Sequence, residues 1–229
     1  MEVGFFRVAL LVLKKDLAIE AKSREIVYTT LFFAISCVMI FGFAFVMEEG
    51  VPVDGAAAGI LWIAVAFSGT LALGRTFERE RYGETLRALL LAPASRPAIY
   101  AGKLLGMILM MVATEVILTP LVAVLFHAPL FAHPWLLIAL LGLGTVGFAA
   151  VGTLFAAMLV RTRTRDVLLP ILLYPITIPV IIAGVRGTAA LLQTPPEEPV
   201  ATLWIGLLVA FDVVFTTLAL WTFEPLTTE

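Results

Sequence analysis

An all-α integral membrane fold with six spanning helices is the class that three observations predict. The first is composition: 61% of the 229 residues are hydrophobic and only 14% are charged, whereas a soluble domain carries about 25% charged residues. A soluble core of this length cannot hide so much apolar surface, so lipid is the solvent for most of it. The second is segmentation, because the apolar residues fall into six runs near the ~20 residues that a spanning helix needs. The third is the placement of Lys and Arg, which alternates with those runs. One domain, residues 1–229, accounts for the chain.

Residues 4–22 are apolar but too interrupted to span. As a helix, this stretch puts Arg7, Lys14 and Lys22 on one side, which suits an interfacial helix on the cytosolic leaflet, facing anionic headgroups. The alternative is a first spanning helix that begins early. The run ends in Lys14-Lys15-Asp16 without a small-residue cleavage site, so it does not read as a cleavable signal.

The six spans are expected at about 27–47, 55–74, 104–126, 135–160, 167–185 and 200–223. Trp135 and Trp221 fall near predicted ends, where indole rings favour the interface. Five basic residues precede the first span, six lie in the second loop and three in the fourth, whereas the remaining loops hold only Arg186. The rich side is cytosolic by the positive-inside rule, which places both termini inside. The outer loops are short; the longest, Arg186–Pro199, leaves no room for an outer domain.

The second cytosolic loop, residues 75–103, carries Glu78, Arg79, Glu80, Arg81, Glu84 and Arg87 in alternating sign and helical register. Arg81 with Glu84, and Glu84 with Arg87, stand at the spacing where helical side chains meet. Leu86, Leu89 and Leu90 supply an apolar side, and Pro93 is expected to end the helix. Such a helix suits docking into a groove on a partner protein; a solvated, salt-bridged loop fits the same pattern.

Within the spans, Glu115 and Asp212 are the two acids. A charge at the bilayer centre costs at least ~2.5–3.5 kcal/mol, so each must be protonated, paired or turned to a polar cavity. A substrate path or proton relay is one use; a buried hydrogen bond between helices, or a helix register different from the one expected, is the alternative. Pro170, Pro175 and Pro179 each remove a backbone donor from the fifth span, which is expected to bend or break there. Gly55/Gly59, Gly102/Gly106 and the stripe Gly142, Gly144, Gly147, Gly152 are spaced for close helix packing.

His127 and His133 share one outer loop, where two imidazoles could ligate haem iron or act as ordinary polar residues. The single cysteine, Cys37, forbids an internal disulfide. No GxxxxGK[ST] loop occurs, so ATP binding falls to another chain. No Cys/His metal cluster, HExxH motif or Ser/His/Asp set appears either, and no catalytic or metal-ligating residue is expected. The basic residues are confined to short loops, which gives no nucleic-acid surface.

Two runs resemble one family. Gly59–Leu105 (GILWIAVAFSGTLALGRTFERERYGETLRALLLAPASRPAIYAGKLL) and Leu143–Val185 are similar to the cytochrome c maturation family CcmB, the haem exporter B subunits. The segment E-R-x-G-E-T-L-R-x-L-L-L-A-P, Glu80 to Pro93, is shared more widely with ABC-2 (type V exporter-like) permeases. The resemblance implies a non-catalytic permease subunit in a bacterial inner membrane. It implies as partners the ATPase CcmA, CcmC, CcmD and, through the complex, the haem chaperone CcmE. ATP would be used by CcmA, haem would be the cargo or the group whose delivery is driven, and 78–87 would be the coupling helix. One chain supplies six spans, half of an ABC pump, so two copies per complex are expected. Two other readings stay open: an ABC-2 exporter of another lipid or drug, and a proton-coupled carrier using Glu115 and Asp212.

Overall fold

The computed structural model describes residues 4–45, 56–83, 95–160 and 162–226; for 45, 77–83 and 224–226 only the backbone is described. Among the described residues the chain is all helix. Seven α-helices follow one another: α1 (Phe5–Ser23), α2 (Glu25–Phe45), α3 (Ala56–Gly83), α4 (Arg96–Leu125), α5 (Pro134–Met158), α6 (Arg165–Leu192) and α7 (Glu198–Leu226). A single 3-10 turn, Leu130–Ala132, joins α4 to α5. Helix is the form that apolar sequence must take in lipid, because every backbone N–H and C=O finds its partner within the segment.

The six helices α2 to α7 are long and apolar enough to cross a membrane. Their outer faces carry side chains that water would reject: Phe32, Trp135 and Trp221 are 75%, 81% and 78% exposed. Such surface is stable only against lipid. This is a multi-pass membrane protein.

α1 lies against α4. Gly102 makes this possible, since a Cβ there would fall 2.6 Å from the Ala9 carbonyl oxygen and 2.7 Å from Val12 Cβ. Val8, Ala9 and Val12 are buried in that contact, while Phe6, Leu10 and Leu11 face outward. α1 ends at Arg24, which adopts a left-handed φ of 53° and donates its N–H to the Glu20 carbonyl. The buried Glu20 side chain accepts the Val27 N–H at 3.0 Å, so one residue closes α1 and caps the start of α2.

The centre of the bundle forms around Trp62 of α3. Its ring fits a slot between Gly144 of α5 and Gly184 of α6, where a Cβ at either glycine would collide with the indole. Its Nε1–H donates to Thr188 Oγ1 at 3.0 Å, which satisfies the one polar atom of the ring. Tyr100 of α4 donates its hydroxyl to the Ala150 carbonyl of α5 at 2.8 Å. Thr70 and Tyr174 join α3 to α6 at 3.2 Å.

Several sequence expectations need correction. α6 is one continuous helix containing all three prolines, so none of them breaks it; the surrounding helices supply the packing that tolerates the lost donors. α6 also continues through Arg186 to Leu192, which shortens the expected outer loop. Of the small-residue positions, Gly59 and Gly142 have open space where a Cβ would stand, and only Gly102, Gly144, Gly147 and Gly152 sit in close contacts. Gly55 lies outside the described residues.

Candidate functional sites

Two regions combine polar chemistry with the apolar bundle. One is a junction at the end where α3 leaves the membrane and α4 and α6 enter it. There Lys103, only 3% exposed, places Nζ 2.8 Å from Asp16 Oδ2, while Lys15 approaches the other oxygen of Asp16 at 3.1 Å. A buried ammonium is tolerable only with such a partner. Arg165, 2% exposed, donates Nη2–H to the carbonyl of Gly74, with that of Leu73 at 3.5 Å. It ties the first turn of α6 to α3 where the apolar part of α3 ends. Arg75 lies 3.8 Å from Glu25 and links α3 to the start of α2.

The sequence counts Lys103 and Arg165 as solvated loop charges; both are instead buried structural residues. The charge asymmetry survives without them. For Lys103 a signal was present, since it directly follows a packing glycine and α1 carries Asp16 beside Lys14 and Lys15; for Arg165 the sequence offered none.

Glu78, Arg79, Glu80 and Arg81 fall on the last helical turns of α3, which extends beyond its apolar span to Gly83. Glu84 and Arg87, with Leu86, Leu89, Leu90 and Pro93, lie outside the described residues.

The second region holds the two membrane acids. Glu115 on α4 is 5% exposed, and Oε1 accepts the hydroxyl hydrogen of Thr145 on α5. Asp212 on α7 is 8% exposed, and neither of its oxygens has a hydrogen-bond partner among the described residues. It packs against Gly147 of α5, where a Cβ would fall 2.6 Å from Oδ1. Thr145 and Gly147 are two residues apart, about 200° around the helix at ~100° per residue. The two acids therefore flank opposite sides of α5 at nearly the same depth. They do not form a common site.

Glu115 opens on a groove of about 350 Å3 between α4 and α5, lined also by Thr119, Pro120, Phe131, Leu137 and Leu141. The Thr119 hydroxyl is buried without a partner among the described residues. His133 places Nδ1 3.0 Å from Glu198 Oε1 and so joins the start of α5 to that of α7. His127 occupies a left-handed turn, φ 48°, just after α4.

Residues 7–225 match the family model described as CcmB protein. The chain is 34% identical to heme exporter protein B of Paracoccus denitrificans over 157 residues, which is 68% of this chain and 70% of that one. It is 29% identical to heme exporter protein B of Pseudomonas aeruginosa over 196 residues, 86% of each chain. To the Rhodobacter capsulatus heme exporter protein B it is 35% identical over 128 residues, 56% of this chain and 58% of the relative. Six apolar crossing helices and a family match over nearly the whole length agree, and the chain belongs to the CcmB family of membrane transport subunits.

Proposed function

We propose that this chain is the membrane subunit of a CcmABCD-type ABC complex in bacterial cytochrome c biogenesis. It would couple ATP hydrolysis by a separate CcmA ATPase to haem export or delivery and to release of haem-loaded CcmE. The family match over residues 7–225 carries this reading. In this view the protein is a single permease domain of the inner membrane with both termini cytosolic, α1 lies in the cytosolic interface, and two copies assemble with CcmC and CcmD. Residues 78–87 form the coupling element that meets the ATPase.

The polar junction supports that assignment physically. The 75–103 segment enters the bundle through α3 and α4, and the Arg165 and Lys103–Asp16 contacts grip those two helices beside it. Rigid contacts at both roots let a displacement of the loop move α1, α4 and α6 together.

Reversing charge with Arg79→Glu and Arg81→Glu together should abolish co-purification of the ATPase while membrane insertion stays intact. Undiminished recovery of the ATPase would refute the coupling role. Deletion of the gene in a host that makes c-type cytochromes, followed by haem staining, tests the wider reading. Loss of cytochromes c is expected, and unaffected cytochromes c would replace haem delivery with export of another cargo.

A further inference from the structure

We propose that the groove between α4 and α5 is a binding site for a lipophilic cation, an apolar body bearing one protonated amine. Its volume, about 350 Å3, falls within the range of small-molecule sites, about 300–1,000 Å3. Its walls are apolar, formed by Pro120, Leu137 and Leu141, with Phe131 of the 3-10 turn at the outer end. Among them stand two polar groups, the Glu115 carboxyl and the Thr119 hydroxyl. This is the pattern of a ligand site, in which apolar surface supplies affinity and a few polar groups set orientation.

Charge complementarity selects the ligand. Glu115 receives one hydrogen bond, from Thr145, and no cationic side chain of the described residues pairs with it. Thr119 is 5% exposed and its oxygen is unpartnered. An ammonium group supplies both the counter-charge for the carboxyl and a donor for the hydroxyl oxygen, while its chain replaces lipid along the apolar wall. Anionic amphiphiles offer the carboxyl no such pairing. An iron porphyrin finds no histidine, cysteine, methionine or tyrosine in the lining to act as an axial ligand. A volume of about 350 Å3 suits a small molecule rather than a spanning helix.

The test uses the purified full-length protein and native mass spectrometry with dodecylamine, dodecanol and dodecanoate. Dodecylamine should bind at least about tenfold more tightly than either of the others. Glu115→Gln, which keeps an acceptor for Thr145, should remove that preference. Leu141→Trp, which fills the groove, should weaken amine binding about tenfold or more. Gel filtration and unfolding temperature identify any variant that has lost its fold. Equal binding of the three amphiphiles, no binding above the micelle background, or an amine preference that survives Glu115→Gln in folded protein would each overturn the proposal.

Discussion

Lys103 of α4 and Asp16 of α1 form a buried ion pair, 2.8 Å between Nζ and Oδ2, one residue beyond the glycine that brings the two helices into contact. The pair and the close approach depend on each other. Without a side chain at 102, α1 comes near enough for the ammonium to reach the carboxylate, and the ion pair fixes which face of α1 is presented.

Asp16→Ala should therefore be more harmful than Lys103→Met. The first strips the carboxylate from an ammonium that is 3% exposed; removing one partner of a buried pair costs about 3–5 kcal/mol. The second leaves Asp16 with Lys15 beside it. Thermal unfolding in detergent measures both, and equal losses would contradict a directional role for the pair.

Gly102→Val should separate α1 from α4. The new Cβ would meet the Ala9 carbonyl, which is backbone and cannot turn aside. A loss of about 1–3 kcal/mol is expected from overpacking, with faster proteolysis within α1. Gly59→Ala, at a position with open space, should stay within about 1 kcal/mol of the parent protein.

The Trp62 slot predicts coupled mutations. Gly184→Ala alone should cost about 1–3 kcal/mol because the methyl group collides with the indole. In a Trp62→Leu background the same change should cost much less, so the pair is non-additive. Additive unfolding energies would mean that the slot does not hold the ring in solution.

Arg165→Lys should fail to restore what Arg165→Gln removes. One guanidinium faces the carbonyls of Leu73 and Gly74, and the ammonium of Lys lacks that planar fork. A loss of about 1.5–3 kcal/mol is expected, typical of a hydrogen bond from a charged group. If the proposed coupling is right, both variants should also reduce ATPase stimulation, measured on the assembled complex.

The helical architecture was legible because lipid imposes it. A long apolar run has only one way to satisfy its backbone, and six such runs in α2 to α7 needed no tertiary information to be recognised. The family was legible too, from the runs Gly59–Leu105 and Leu143–Val185, the second of which includes the prolines of α6. Hydropathy could not show which charges are solvated, because it weighs a residue by type alone. Lys103 and Arg165 look like any loop cations until Asp16 and the α3 carbonyls are placed beside them by long-range packing. Nor could spacing tell which glycines carry contacts: Gly142 and Gly144 differ only in whether Trp62 of another helix lies above them. The same limit held for the two acids. Sequence located Glu115 and Asp212 inside the membrane, and only the position of α5 between them showed that they face separate surroundings. Local chemistry sets what each helix is, while the partners of its buried polar groups are chosen by residues far along the chain.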